Sequence, residues 1–272
     1  MSICIAMNTV WFWFDKQNRR LLHGTAQDVM RKFDLISSKY TTLSGLEIFL
    51  DPSTISFEKQ FSNSFYKKYS KLNYKSVHIG NSNEHFLDDS DIETKLVILS
   101  NIMDELQSDI LILHAHHLRN NRKNRKDKLL SAFQNKKICI ENNGFDNLWG
   151  GSINGLLEIF ADCPEFMFCL DIAHVKDFNY NLDDFINESL LASKLIEVHY
   201  SYSTFYCKKD PYIERGFEGY NPYHALFSVL GLSPSKRTRK FISDYPVIIE
   251  GIVPKEDINL DFLKAEEKLL TI

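Results

Sequence analysis

The chain has 272 residues, 44% of them hydrophobic and 25% charged, with a formal net charge of -4. This is an ordinary globular balance, with enough apolar surface for a large core in one domain spanning 1–272. The negative balance excludes a global attraction to nucleic acid or to an anionic membrane, and no run approaches the ~18 uninterrupted apolar residues of a membrane span. Five cysteines, Cys4, Cys139, Cys163, Cys169 and Cys207, show no paired spacing. Such a set argues against a disulfide framework or a zinc ribbon and points to a reducing, cytoplasmic setting. The opening segment MSICIAMNTVWFWF lacks the basic leader and small-residue cleavage site of a signal peptide.

Eight short runs rich in Ile, Val, Leu and Phe read as strands: Ser2–Thr9, Leu46–Leu50, Ser76–Ile79, Ile110–His114, Lys137–Glu141, Phe166–Asp171, Leu195–His199 and Val247–Glu250. Continuous apolar runs suit strands buried on both faces of a parallel sheet. Amphipathic stretches lie between them, at Thr25–Lys39, Asp91–Gln107, Lys128–Gln134, Gly151–Ala161 and Leu182–Ser193. Strands alternating with helices imply right-handed βαβ units. Eight such units predict an α/β fold of the (β/α)8 TIM barrel type. No glycine-rich phosphate loop follows the first strand, which argues against a doubly wound sheet.

Trp11, Phe12, Trp13 and Phe14 follow the first strand as packing for the core and rim, with Trp11 also in reach of a substrate ring. Glu47 alternates with Leu46 and Ile48 and is expected in the barrel interior or at its rim, with a basic partner. Two basic runs, Arg119–Lys128 and Ser233–Lys240, read as solvated surface; the first follows the fourth strand, so Arg119 is a candidate phosphate contact. His116 and His117 read as support behind His114, with His116 a candidate substrate contact. Cys207 is assigned to an exposed loop.

The ionisable residues fall where the apolar runs stop. His78 closes SVHIG, His114 closes ILILH, Glu141 closes ICIENNG, Asp171 closes FMFCLD with His174 three residues on, His199 closes LIEVH, and Glu250 closes VIIEG. In a barrel these ends converge on one pocket. Several carboxylates enclosed together would repel one another unless a cation compensated them, and mixed imidazole and carboxylate ligands suit Zn, Mn or Fe(II) better than Ca. One to three divalent ions per chain are expected.

The order His, His, Glu, Asp-x-x-His, His, Glu along successive strands resembles the xylose-isomerase-like barrel superfamily, whose metal-rich branch is endonuclease IV, the class II apurinic/apyrimidinic endonucleases. The resemblance runs from His78 to Glu250 and is most specific at HAHHL, IENNG, LDIAH and HYS. It implies one metal on His78, His114 and Glu141. Glu141 would bridge to a second metal on Asp171, His199 and Glu250. A third would use His174 and an Asp-x-His segment, which here reads DPYIERGFEG. Asp210, Gly216 and Gly219 fit that segment, but Tyr212 stands where the family has His.

The resemblance carries two chemistries. One is sugar or sugar-phosphate isomerisation or epimerisation, with Glu141 and Glu250 moving the proton and His174 and Arg215 holding substrate. The other is phosphoester hydrolysis by clustered metals, which uses every ligand including His78 and His114. The loops LDPST and HIGNSNEH supply no aromatic wedge for DNA, so the sequence leans to the isomerase or epimerase acting on a small sugar or phosphorylated substrate, with the phosphoesterase as the alternative and nucleic acid the less favoured partner. Iron-dependent oxidation of a peptide ranks below both.

Overall fold

The computed structural model describes residues 2–10, 14–15, 20–21, 25–40, 44–52, 61–80, 86–144, 149–217 and 224–271, the side chains of 14–15 and 20–21 excepted. Trp11, Phe12, Trp13 and Gly219 lie outside the described residues, and so does the side chain of Phe14. The roles expected of these aromatic side chains therefore lie outside them too.

The eight strands are β1 (Ile3–Ala6), β2 (Gly45–Leu50), β3 (Tyr74–Ile79), β4 (Ile110–His114), β5 (Lys137–Glu141), β6 (Met167–Asp171), β7 (Leu195–Tyr200) and β8 (Val247–Ile249). Each pairs in parallel with its neighbours in sequence, and β8 closes on β1 through Ile3 opposite Val247. The fold is a closed (β/α)8 barrel, as the alternation of runs predicts. Each predicted run contains its strand core, and the differences lie at the ends. The first run stops being strand at Ala6 because Met7–Val10 turns into a 3-10 helix. The last strand ends at Ile249, one residue before Glu250.

Between the strands lie α1 (Ala26–Lys39), α2 (Asn63–Tyr69), α3 (Ile92–Leu106), α4 (Arg122–Ala132), α5 (Ile153–Asp162), α6 (Ile172–Asp177), α7 (Leu182–Asn187) and α8 (Ser189–Lys194). Beyond β7 come α9 (Pro211–Glu214), α10 (Phe227–Leu230) and α11 (Lys236–Ile242), and α12 (Asp261–Thr271) follows β8. Capping oxygens fix several starts: Thr25 accepts from Asp28 N, Ser152 from Gly155 N and Ser235 from Thr238 N. The predicted helix Leu182–Ser193 is two helices, parted where Glu188 turns extended and its side chain caps Leu190 N.

The basic run after β4 is exposed at Arg119, Lys123 and Asp127, as expected of solvated surface, but not at Arg125. It forms most of α4, which starts at Arg122 rather than Lys128. Arg125 is fully buried, pairs with Asp88 through two nitrogens and donates to the His117 carbonyl at 2.7 Å. Arg122 pairs with Asp162, and Lys126 pairs with Glu165 at 2.9 Å. These cations hold α4 to its neighbours and to the His116–His117 turn.

The barrel's apolar side chains form separate layers. The main cluster lies between sheet and helices, while Cys4, Ala6 and Ile248 form one inner group and Ile112, Cys139 and Cys169 another. Cys139 and Cys169 are buried thiols, and Cys207 is exposed, as its loop assignment expects. Side chains alternate along a strand, so Ser76 and His78, Cys139 and Glu141, Cys169 and Asp171, and Glu197 and His199 each share a face. That alternation sets a polar layer over the inner groups at the C-terminal end of the barrel.

Candidate metal centre

Register brings the strand ends to one level. His114 lies opposite Glu141 across β4 and β5, and Asp171 lies opposite His199 across β6 and β7. Among the described residues, five groups of side chains place their ligand atoms within 4.8 Å of one another. Two match the sets that the sequence implies: His78, His114 and Glu141, and Glu141, Asp171, His199 and Glu250. The structure thus brings together His78, His114, Glu141, Asp171, His174, His199 and Glu250, all of them buried.

Glu141 stands at the centre. Its Oε2 is 2.7 Å from His78 Nε2 and 3.4 Å from His114 Nε2. Its Oε1 is 3.2 Å from His199 Nδ1 and 3.7 Å from His174 Nε2. Burial opposes its ionisation, but His114, His199 and His78 overcome it and hold the carboxyl well below the usual carboxylate range. In return His78, which burial alone would depress, is raised to about 9 by Glu141. His114 goes the other way: burial and the neighbouring imidazoles push it well below the ordinary imidazole value, against the pull of Glu141.

Asp171 caps α6 through Oδ1, which accepts from His174 N at 2.9 Å. Its Oδ2 is buried and has no hydrogen-bond partner among the described residues. That oxygen stands 3.7 Å from both His174 Nε2 and His224 Nδ1, too far for hydrogen bonds and well spaced for ligands around one cation. Burial, with Glu250 and Glu141 nearby, pushes the Asp171 carboxyl well above its ordinary range against the pull of His174. The donor set therefore fits a metal.

The third group differs from the one the resemblance implies. It consists of Asp171, His174 and His224. Nothing in the sequence pattern singles out His224: it sits in a two-residue ribbon, paired opposite Ser203, and its Nδ1 is 2.7 Å from Ser201 Oγ. Asp210 belongs to none of the groups found among the described residues; its side chain caps α9 by accepting from Tyr212 N at 2.8 Å. Tyr212 is fully buried, donates to the Ile252 carbonyl and accepts from Leu226 N at 3.0 Å. It is a core residue, with no imidazole's task to perform. We expect Asp210→Ala to leave metal content unchanged and to cost about 1 kcal/mol as a lost helix cap, whereas His224→Ala lowers metal content; elemental analysis beside urea denaturation separates the two.

The substrate candidates fare unevenly. His116 is buried behind His114, with ring centroids 5.4 Å apart, and its N and Nδ1 both lie 3.1 Å from Asn143 Oδ1. It stacks behind a ligand ring and is held by Asn143. Arg119 is an exposed residue at the end of the His116–His117 turn. Arg215 is exposed too, and its guanidinium caps the carbonyl of Leu230 at the end of α10, away from the ligands. Two asparagines of IENNG complete the scaffold. Asn142 clamps Asp171 by accepting from its N at 2.8 Å and donating to its carbonyl at 3.0 Å. Gly144 leaves room for His174, whose Nδ1 would lie 2.7 Å from any Cβ there. Asp177 accepts at His174 Nδ1, 3.2 Å away, and turns Nε2 toward Asp171 and Glu141.

No family model and no curated protein matches this sequence. Solved structures do. The probable 3-DHS dehydratase of petrobactin synthesis from Bacillus anthracis superposes with a TM-score of 0.63 at 12% identity, covering 100% of this chain and 99% of that one. Endonuclease IV from Thermus thermophilus gives 0.56 at 16% identity, covering 90% and 94%. D-psicose 3-epimerase from Clostridium cellulolyticum gives 0.53 at 13% identity, covering 99% and 94%. The fold is that of the xylose-isomerase-like TIM barrels.

Proposed function

We propose that this xylose-isomerase-like barrel is a multinuclear metal enzyme that hydrolyses a phosphoester. One observation carries the reading: the two oxygens of Glu141 face two different imidazole sets, His78 with His114 and His199 with His174. A carboxylate so placed is disposed to bridge two cations. An isomerase that works with one ion on Glu141, Asp171, His199 and Glu250 would leave His78 and His114 as substrate contacts, whereas both rings lie against the Glu141 carboxylate.

Metal ions held by these groups would supply Lewis acidity and an activated water at neutral pH. The chain's own residues orient and move protons. Glu141 and Asp171 each join two ligand groups and so fix their spacing. Asp177 holds His174 by Nδ1, which leaves Nε2 for a ligand's task. Glu250 is the most accessible of the three central carboxylates, at 7% against 1% for Glu141 and 0% for Asp171. It is the acceptor for the proton that the attacking water releases. Its carboxyl is held below the ordinary range because His199 outweighs the effect of burial, so it is ionised at neutral pH.

A second reading is favoured by the four-ligand group Glu141, Asp171, His199 and Glu250, which alone would serve a sugar or sugar-phosphate isomerase or epimerase. The test sets bis(p-nitrophenyl) phosphate and an abasic oligonucleotide beside D-fructose and D-psicose, with protein loaded with Zn, Mn or Fe(II). Release of nitrophenol or nicking supports hydrolysis. Interconversion of the two ketoses without phosphoester cleavage supports the second reading and overturns the first.

A further inference from the structure

Two carboxylates lie beneath the ligand layer, inside the barrel. Glu47 is 1% exposed and Glu197 0%. The interior of such a barrel is ordinarily filled by apolar side chains, and a carboxylate taken wholly out of water is costly unless it is paired. Both point at one ring. His199 Nε2 is 3.0 Å from Glu197 Oε1 and 3.3 Å from Glu47 Oε2. The opposite edge of the same ring faces the ligands: Nδ1 is 3.2 Å from Glu141 Oε1 and 3.3 Å from Glu250 Oε2. The carboxylates are themselves held. Tyr74 donates its hydroxyl to Glu197 Oε2, leaving Oε1 for the ring, and Ser76 donates to Glu47 Oε2 at 3.0 Å.

We propose that Glu197, backed by Glu47, is a positioning residue that accepts Nε2–H of His199 from inside the barrel and so turns the Nδ1 lone pair outward as the metal ligand. This rests on the reading that His199 ligates a metal with Glu141, Asp171 and Glu250. A neutral imidazole has one N–H, and the nitrogen that keeps it cannot also be a ligand. A buried acceptor at Nε2 fixes the tautomer and raises the basicity of Nδ1. The expectation that Glu47 has a basic partner inside the barrel is thereby met by a ring that serves the site, and Glu197, two residues before His199 on β7, reaches the same ring from below.

The test measures zinc affinity by chelator competition in the wild type, Glu197→Gln and Ile112→Val, with the visible spectrum of the cobalt-substituted proteins as a second readout. Glu197→Gln is expected to weaken zinc by about 10–100-fold and to shift the cobalt bands, because the ligand ring loses its charged acceptor. Ile112→Val trims a methyl group from the same interior and removes no hydrogen bond, and is expected to lower stability while leaving both readouts in place. Glu197→Gln binding within about threefold of the wild type, or the two variants behaving alike, overturns the assignment. Nitrogen-15 NMR of the zinc-loaded wild type gives the same answer without a variant: His199 should carry its proton on Nε2, and a proton on Nδ1 overturns it. A wild type that binds no zinc, cobalt, manganese or iron overturns the parent reading and this assignment together, whereas metal bound equally by wild type and Glu197→Gln overturns this assignment alone.

Discussion

Glu141→Ala is expected to lower phosphoester hydrolysis by about a thousandfold or more, on the scale of the several kcal/mol that clustered metals supply to such a reaction at ~1.4 kcal/mol per factor of ten. The reason is geometric. Glu141 is the carboxylate shared by the His78–His114 group and the Asp171–His199–Glu250 group. Its loss leaves two imidazoles facing a gap and disconnects the two sites. Metal content should fall with activity, and circular dichroism should show the barrel intact, because the strands β4 to β6 keep their ladders. Glu141→Gln is the finer probe. It preserves volume and one carbonyl oxygen but removes the charge that His78, His114 and His199 surround. A variant that keeps both metal content and rate would remove Glu141 from the mechanism.

The second large effect is a reversal of pH dependence between metal-free and metal-loaded protein. Without metal, His78 is raised to about 9 and His174 to about 10 from an ordinary 6.5, burial being outweighed by Glu141 in the first case and by Asp171 and Asp177 in the second. A raised imidazole binds its proton more tightly folded than unfolded. Its contribution to stability is complete below pH 6.5 and is lost as the pH climbs through about 9 and 10. Glu141 and Glu250, both lowered, contribute above the ordinary carboxylate range and lose that contribution only on acidification. Chelator-treated protein should therefore melt at progressively lower temperature between pH 7 and pH 10. Metal binding requires the same imidazoles to give up their protons, so affinity rises over that interval and protons are released on loading. Calorimetry at stepped pH, with and without chelator, shows both trends. A metal-free melting temperature that does not fall across this range would contradict the charge arrangement at Glu141.

Much of this site is legible in the sequence because barrel strands are buried on both faces. An ionisable residue that ends an apolar run has few places to point other than the C-terminal opening, and His78, His114, Glu141, Asp171, His199 and Glu250 all follow that logic. His224 does not. It ends no apolar run, and only the pairing of Ser203 with His224 carries it back over Asp171. The segment DPYIERGFEG misleads for the complementary reason: matched by resemblance, Asp210 and Tyr212 look like a damaged ligand pair, whereas one caps α9 and the other packs into the core. The basic run hides α4, because only Arg125 and Leu129 of that helix are buried and its charged faces carry no apolar stripe. Glu197 is within reach of sequence reasoning. In LIEVHY the two-residue period of a strand already puts it on the face of His199.

Metal content per chain tests the account most directly. The protein, purified without chelator and reloaded with zinc or manganese, should hold two or three ions per chain by elemental analysis. Two correspond to the groups that share Glu141, and a third corresponds to Asp171, His174 and His224. A single ion per chain under saturating metal would contradict the bridging role of Glu141 and return the site to isomerase chemistry, and no ion at all would contradict a metal centre altogether.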